Sequence, residues 1–277
     1  GTWHPIGGMF EVVKGIKCLA MELGVKLITK AEVQNIEINK KGVATSLVVN
    51  GSNVSTDIVL SGADYYHTEQ LLPLKFRQYT DKYWRTRKFA PSSLLFYVGF
   101  DKKIQNISHH TLFFDTEFDS HAEYIYDTPD WPKDPLFYAS FPSKTDSTFA
   151  PKGKEAATFL IPIAIGLEDN DNLRSKYFDL LIKRLEKLTD QKLKDSIKFV
   201  KSYCVKDFVK DYNSYGGNAY GLANTLKQTA FLRPKIKSKN VKNLFFTGQL
   251  TVPGPGVPPA LVSGKIAAES IFKHVGS

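Results

Sequence analysis

Apolar residues recur along the chain at two spacings, which predict a mixture of helices and strands. After Gly7-Gly8, the residues Val12, Ile16, Leu19 and Leu23 share one helical face, and Gly24 follows as a helix terminator. A second amphipathic helix is predicted over residues 173–188. Short apolar runs predict strands at residues 25–28, 31–38, 43–49, 54–60, 94–100, 111–114, 136–141, 157–165 and 197–203.

Turn residues organise these elements into a predicted domain pattern. Asn50-Gly51 is typical of a type I′ hairpin between two strands. Residues 61–64 close the first strand-rich region and begin a short helix that runs to Leu72. A mixed middle region and a final strand and helix follow. We therefore predict an α/β protein, with α+β character in the middle. Residues 1–64 and 241–277 would form one domain, and residues 65–240 a second.

The final strand–turn–helix is the most informative pattern. An apolar strand ends at Gly248, and the segment 248–259 holds three glycines and four prolines. A helix is predicted to begin at Pro258-Pro259, because proline is tolerated in a helix's first turn. Glycines before a helix N-terminus let a ligand reach free N–H groups and the positive end of the helix dipole. From these residues alone, a ligand site and a simple turn before a docking helix are equally good interpretations.

Bulk composition is that of an ordinary globular protein with excess positive charge. The 277 residues are 42% apolar and 23% charged, with a formal net charge of +9. That charge could suit a nucleic acid or an anionic membrane, although basic runs are usually solvated helix faces. No apolar run is long enough to span a bilayer. The first residues, which lack an initiating Met, lead us to expect a fragment.

The cysteines and histidines give little sign of catalysis. Cys18 and Cys204 lack metal-ligand spacing, so no metal site is predicted. Two free, buried thiols would fit the reducing cytoplasm, and a single disulfide stays possible. His109 and His110 adjoin a strand, where neighbouring side chains point to opposite faces, so we interpret them as structural or surface residues. His4 and His67 are isolated in the sequence. An enzyme without its own catalytic set should depend on a cofactor.

Eight motifs in order carry a family resemblance. They lie at residues 2–9 (Thr-Trp-His-Pro-Ile-Gly-Gly-Met), 31–33 (Ala-Glu-Val), 62–64 (Gly-Ala-Asp), 108–111 (Ser-His-His-Thr), 145–153, 231–234 (Phe-Leu-Arg-Pro), 248–260 and 263–268. With them the chain resembles carotenoid desaturases of the phytoene desaturase type, among the flavin amine oxidase-like oxidoreductases. The resemblance spans essentially the whole chain, and it implies the C-terminal part of a Rossmann-like FAD-binding enzyme with a mixed-sheet substrate domain.

The resemblance implies FAD-dependent dehydrogenation of a long acyclic carotenoid. A hydride would pass from an allylic carbon to the flavin N5, and a proton would leave the neighbouring carbon. The implied cofactor-binding residues are Val33 toward adenine, and Gly248, Gln249, Gly256, Val257, Pro258 and Ala260 near the ring. Free donors should come from Gly256, Val257 and Ala260. The family's Gly-x-Gly-x-x-Gly fingerprint is missing from these residues, so this chain alone should bind FAD weakly or not at all, and be inactive.

The carotenoid substrate implies an apolar tunnel and a membrane-facing surface. Seven aromatic residues are candidate tunnel walls, although such residues are more often core: Phe96, Tyr97, Phe113, Phe114, Phe137, Tyr138 and Phe141. Residues 75–89 mix cations with aromatics and could lie at an anionic bilayer, as a peripheral membrane protein would, or form a solvated basic helix. A carotenoid isomerase, a retinoid saturase-like enzyme or a non-catalytic lipid-binding module remain alternatives. A nucleic-acid partner is not predicted, because no recognised motif accompanies the charge.

Overall fold

The computed structural model describes residues 3–276, which divide into two compact units. The first unit combines residues up to 29 with 93–163 and 168–204. The second combines residues 30–92 and 164–167 with those from 205 onwards. The boundaries therefore differ from the predicted ones. Residues 3–29 group with the middle of the chain, whereas 65–92 and 205–240 group with the segments predicted to bind the cofactor.

Seven α-helices and ten strands make up the described residues 3–276. The helices are α1 (Phe10–Glu22), α2 (Tyr65–Gln70), α3 (Asp81–Arg85), α4 (Phe118–Tyr126), α5 (Asp171–Thr189), α6 (Val205–Tyr212) and α7 (Val257–Val275). The strands are β1 (Val33–Ile38), β2 (Ala44–Val49), β3 (Ser52–Ser55), β4 (Val59–Ser61), β5 (Ser92–Phe100), β6 (His110–Phe113), β7 (Phe137–Ser140), β8 (Glu155–Ile163), β9 (Ile197–Tyr203) and β10 (Leu244–Phe246).

A five-stranded sheet with the order β6-β7-β8-β5-β9 forms the centre of the first unit. Every second side chain of β8 is buried, as expected where one face of a strand packs on a core. Helix α5 covers this sheet, with Leu181, Ile182 and Leu185 buried. Its first turn is capped by Asn170, whose side chain accepts a hydrogen bond from the N–H of Leu173 at 2.9 Å. The predicted amphipathic helix is thus confirmed.

Helix α1 forms where its periodicity predicts, but its apolar stripe is uncovered in this chain. Gly24 takes a positive φ of 83° directly after the helix end, as the terminator pattern requires. None of the helix residues is buried, and Phe10 and Leu19 are more than half exposed. Two predictions fail here. Residues 25–28 form no strand, and Cys18 is an exposed thiol rather than a buried one.

The second unit contains an antiparallel sheet, β1-β2-β3, and a parallel pair, β4 and β10. Asn50 and Gly51 turn the β2–β3 hairpin with φ values of 48° and 79°, which confirms the predicted type I′ signal. The predicted strand at 54–60 is instead divided between β3 and β4. Asn243 joins the two sheets, because its side chain accepts from the N–H of Ala44 and donates to the carbonyl of Ala44, each at 2.8 Å.

An aromatic core fills the second unit. The rings of Tyr65 and Phe246 stack with centroids 3.7 Å apart, and Trp84 packs beside Tyr65 at 5.8 Å. Trp84 is completely buried. This corrects the interpretation of residues 75–89 as a segment whose aromatics face a membrane. Four cations of this segment are exposed, namely Lys75, Lys82, Arg85 and Lys88. No helix among residues 3–276 combines the length and apolar character needed to cross a bilayer.

Candidate functional site

A cleft of about 530 Å³ opens in the second unit, where β4 and β10 end. The two strands are parallel, with Ser61 opposite Phe246, so their carboxyl ends meet at one edge. Open parallel sheets characteristically bind ligands outside this edge. Three stretches of chain line the cleft, namely the turn after β4, the segment around α6, and the turn from β10 into α7: residues 62–64, 208, 212, 214, 218–220, 247–250, 256, 257 and 260.

The turn from β10 into α7 needs glycine at its two ends. Gly248 has a φ of 106° and Gly256 a φ of 113°, a region that residues with a Cβ rarely adopt. Ser263 on α7 fastens the turn to the strand, since its hydroxyl accepts a hydrogen bond from the N–H of Gly248 at 2.8 Å. Helix α7 begins at Val257, with the prolines in its first turn. The predicted strand–turn–helix is therefore present as expected.

Two backbone donors at this turn are left for a ligand. Within the described part of the chain, the N–H groups of Gly256 and Val257 have no acceptor, and both residues line the cleft. The prediction that Ala260 supplies a third donor is wrong. Its N–H makes the first hydrogen bond of α7, to the carbonyl of Gly256 at 2.9 Å. Ala260 lines the cleft through its other atoms.

A chain of side-chain amides runs from the turn to the start of α2. Gln249 donates through Nε2 to Oδ1 of Asn218 at 3.2 Å, and Asn218 donates through Nδ2 to Oδ2 of Asp64 at 3.3 Å. Asp64 also caps α2 by accepting from the N–H of His67. Burial raises the pKa of Asp64, while hydrogen bonds from the N–H groups of Tyr215 and His67 oppose that shift. These bonds fix the direction of Gln249.

An aromatic wall lies along another part of the cleft. Phe208 and Tyr212 come from α6, and Tyr220 follows Asn218; Tyr212 is 64% exposed and Tyr220 40% exposed. Flat, weakly polar surfaces beside a few directed polar groups are typical of sites for planar ligands. Sequence reasoning missed α6, and it missed Asn218, Tyr212 and Tyr220 as site residues. The glycine-rich stretch at 216–221 was the available signal.

Some of the predicted site residues line the cleft and others do not. Gly248, Gln249, Gly256, Val257 and Ala260 all line it. Two others do not. Pro258 lies in the first turn of α7 and is not among the lining residues. Val33 pairs with Val49 at the start of β1 and is half-buried. A role for Val33 toward adenine remains a prediction.

The histidines of the first unit form a cluster, which corrects their interpretation as separate residues. The rings of His109 and His110 stack with centroids 4.2 Å apart, and His4 meets His109 edge-on at 5.1 Å. Nε2 of His4 lies 3.5 Å from a carboxylate oxygen of Asp146. The alternation rule failed because β6 begins at His110, so His109 lies outside the strand. Burial and then the neighbouring imidazoles lower the pKa of His109.

Comparison with curated proteins gives relatives that include carotenoid desaturases. A carotenoid 3,4-desaturase from Haloarcula japonica is 42% identical over 276 residues, which are 99% of this chain and 56% of that protein. A 4,4′-diapophytoene desaturase from Staphylococcus haemolyticus is 33% identical, over 99% of this chain and 57% of the relative. The chain thus spans a little over half the length of the curated relatives it matches. No protein-family model matches it.

Solved structures share the fold. An oxidoreductase from Methanosarcina mazei superposes with a TM-score of 0.64 and 15% identity, over 96% of this chain and 55% of that one. A double mutant of putrescine oxidase gives a TM-score of 0.62 and 13% identity, over 97% of this chain and 53% of the other. At these identities the likeness concerns the fold alone. It confirms the predicted fold class of mixed helices and sheets.

Proposed function

We propose that this chain, a homologue of carotenoid desaturases over 99% of its length, is part of an FAD-dependent enzyme that extends the conjugated double bonds of a long isoprenoid. One observation carries the proposal. In a chain 42% identical to a carotenoid 3,4-desaturase, five of the residues that resemble the flavin-contacting motif line one cleft. That cleft lies at the carboxyl ends of two parallel strands, where a bound cofactor is expected.

The residues of the cleft fit the ring end of FAD. The free N–H groups of Gly256 and Val257 can donate to its electron-rich edge, and the positive end of α7 points in the same direction. The glycines at 248 and 256 leave room for the backbone to approach a flat ligand. Phe208 and Tyr212 offer a planar apolar surface beside it. When bound, FAD would supply the oxidant for breaking C–H bonds.

Gln249 has a narrower role than the resemblance implied. Its Nε2 donates one of its two hydrogens to Asn218, whereas its Oε1 has no partner among the described residues and is open to a ligand. An amide oxygen accepts hydrogen bonds, and it suits a hydroxyl better than a phosphate. We therefore expect Gln249 to contact the ribityl chain of the cofactor rather than its pyrophosphate.

The rest of the cofactor would need residues that this sequence does not contain. A Gly-x-Gly-x-x-Gly fingerprint, which holds the pyrophosphate in dinucleotide-binding folds, is missing from the 277 residues. We expect this chain by itself to bind FAD weakly or not at all, and to be inactive. Stoichiometric flavin in the purified chain would contradict that expectation.

No general base is assigned for the dehydrogenation. Asp64 is the one carboxylate that lines the cleft among the described residues, and it already accepts hydrogen bonds from backbone N–H groups and Asn218. Taking up a substrate proton there would weaken the cap of α2. We infer that the side chains near the ring bind and orient, while the cofactor supplies the redox chemistry.

Substrate access and membrane contact are parts of the same proposal. Of the seven aromatic residues proposed for a tunnel, Phe96, Phe113, Phe137 and Phe141 are buried packing residues of the first unit's sheet. Tyr97 and Phe114 are exposed, at 37% and 62%, and are the stronger candidates for contact with an isoprenoid or a bilayer. Peripheral binding to an anionic membrane through exposed cations is likewise proposed.

The decisive experiment uses the full-length protein that contains this chain. It should purify with about one FAD per polypeptide and convert phytoene in liposomes to a product with more conjugated double bonds, seen as absorption at longer wavelength. A product of unchanged mass but altered geometry would favour a carotenoid isomerase. A more saturated product would favour a retinoid saturase-like enzyme. Lack of FAD would overturn the proposal and favour a lipid-binding module.

A further inference from the structure

Arg233 is a buried arginine beneath the cofactor loop, which we define as residues 248–256. Only 1% of its surface is exposed. Its Nη2 donates to the carbonyl of Leu222 at 2.9 Å and to Oδ1 of Asn224 at 2.5 Å. Its Nη1 donates to the carbonyl of Gln249 at 3.3 Å. The guanidinium therefore joins the cofactor loop to the segment that follows the aromatic wall.

Gly254 closes over the same guanidinium. A Cβ added at this glycine would lie 3.0 Å from Nη2 and 3.1 Å from Cζ of Arg233, which is tighter than nine in ten real Cβ contacts. The φ of 135° also favours glycine. Position 254 thus needs glycine both for its backbone conformation and to let the loop rest directly on the charged group.

The charge of Arg233 has no acidic partner. Among residues 3–276, no carboxylate lies within ion-pair distance of it, and the three atoms that accept its hydrogen bonds are neutral. Burial lowers the pKa of Arg233, yet arginine remains protonated in proteins. An uncompensated buried charge is costly, and an apolar residue could fill the same space without that cost. Packing alone therefore does not explain the buried guanidinium of Arg233.

We propose that Arg233 is a positioning residue that supplies fixed positive charge to the flavin site and holds the loop from Gln249 to Gly254 in its binding shape. The inference rests on the proposed function. It follows from the link through Gln249, whose carbonyl meets the guanidinium and whose side chain lines the cleft. Positive charge placed in advance near a cofactor stabilises the negative charge that the cofactor gains on reduction. Removing it should make FAD harder to reduce.

The test separates charge from loop shape in the full-length holoprotein. R233M removes the charge, whereas G254A crowds the loop and keeps the charge. The flavin midpoint potential, the FAD dissociation constant and the thermal midpoint are measured for each. We expect R233M to shift the potential to a more negative value, and G254A to weaken FAD binding several-fold with a smaller shift. As a matched control, R184M removes an arginine that pairs with Asp115 in the first unit, and it should leave the potential unchanged.

A lysine variant keeps the test decisive if R233M fails to fold. In R233K the buried ammonium loses its proton more readily than a guanidinium does. The potential of R233K should therefore fall further below that of the wild type as pH rises. The inference would be overturned if folded R233M kept the wild-type midpoint potential, or if the potential of R233K had the same pH dependence as that of the wild type. Either result would leave the proposed function intact. Wild-type protein without FAD would overturn the proposed function first, and the inference with it.

Discussion

Asn218 holds Gln249 and Asp64 together, because its amide oxygen accepts from Nε2 of Gln249 at 3.2 Å and its amide nitrogen donates to Asp64 at 3.3 Å. The same oxygen accepts from the N–H of Gly221 at 2.9 Å. A single buried amide thus determines which atom of Gln249 faces the cleft, and it secures the glycine-rich segment beside it. Its loss should affect ligand binding and folding together.

We predict that N218D weakens FAD binding in the full-length protein more than N218A does. A carboxylate at 218 would oppose Asp64 across 3.3 Å, and like charges at that distance repel. N218A should lower the free energy of unfolding by about 1–3 kcal/mol, the usual cost of unsatisfied buried polar groups. Fluorescence titration with FAD and urea denaturation measure the two effects. The exposed β3 substitution N53A serves as control, and equal FAD affinities for N218A and N218D would contradict the prediction.

Glu69 should make the stability of the chain fall as pH rises. Its side chain is 1% exposed, and burial raises its pKa from 4.5 to about 7. Between these values the folded state holds a proton that the unfolded state has released. The stabilisation is therefore complete below pH 4.5 and is lost by about pH 7, a difference of about 3 kcal/mol.

The substitution E69Q tests this titration. Glutamine keeps an oxygen for the N–H groups of Gln78 and Tyr79, which Oε1 of Glu69 now accepts at 2.7 and 3.2 Å. Urea denaturation at pH 5 and pH 8 should show a smaller loss of stability in E69Q than in the wild type. The exposed change E37Q provides the control. The same pH dependence in E69Q and the wild type would exclude Glu69 as the source.

The pKa of His109 should depend on the two imidazoles beside it. Burial lowers the pKa of His109, and the charges of His110 and then His4 lower it further. We expect H110N to raise the pKa of His109 more than H4N does, in keeping with that order. Two-dimensional NMR of the imidazole protons across pH 5–8 measures the pKa of His109 in the wild type and in each variant. In the unfolded chain His109 is solvated and its pKa is not lowered, so the unfolded state takes up this proton at a higher pH than the folded state does. Acid should therefore also destabilise the first unit. A pKa of His109 that neither variant changes would contradict the coupling.

Membrane binding, if it uses residues 75–89, should depend on cations and not on Trp84. Replacing the exposed Lys82, Arg85 and Lys88 by glutamine should reduce co-sedimentation of the full-length protein with anionic vesicles. On the usual scale of about 1 kcal/mol per basic residue, the binding constant should fall by roughly a hundredfold. A matched triple change of Lys176, Lys183 and Lys187 on α5 controls for net charge. Equal vesicle binding by both triple variants would rule out residues 75–89 as the membrane-binding surface.

Trp84 should instead behave as a core residue. It is fully buried among Tyr65, Tyr83 and other rings, so W84A should lower the free energy of unfolding by about 3–5 kcal/mol. Guanidinium denaturation measures this loss. The substitution Y212A, at a residue 64% exposed, should cost far less stability. A small loss in W84A would show that this side chain is not part of the packed core.

Local signals predicted local structure well. The Asn50-Gly51 hairpin and the stop of α1 at Gly24 depend on residues close in sequence, and both are as expected. Helix α7 begins at Val257, one residue before the predicted Pro258-Pro259. The resemblance likewise indicated five residues that line the cleft. Contacts between distant parts of the chain were not accessible in this way. Asn218 meets Asp64 across 154 positions, and no periodicity or spacing predicts such a pair.

The predictions that failed concern the surroundings of an element, because a sequence pattern indicates the element but not what packs against it. The apolar stripe of α1 indicates a covered face, yet none of the residues 3–276 buries it. The mixture of cations and aromatics at 75–89 is compatible with a bilayer, but the short helix α3 buries Trp84 and exposes its charges. Ala260 was expected to donate to a ligand, because the helix start could not be fixed to a single residue from sequence. The structure places that N–H inside the first helical turn.

The bond between Asn243 and Ala44 joins residues 199 positions apart, and it lies beside the parallel pairing of β4 with β10. Pairings of such high contact order form slowly, since a long loop must close before they yield stability. During synthesis, β4 therefore remains unpaired until β10 has been made, which is more than half of the chain later. The ligand cleft should therefore assemble only after β10 has been synthesised, and until then the unpaired edge of β4 would need protection by chaperones.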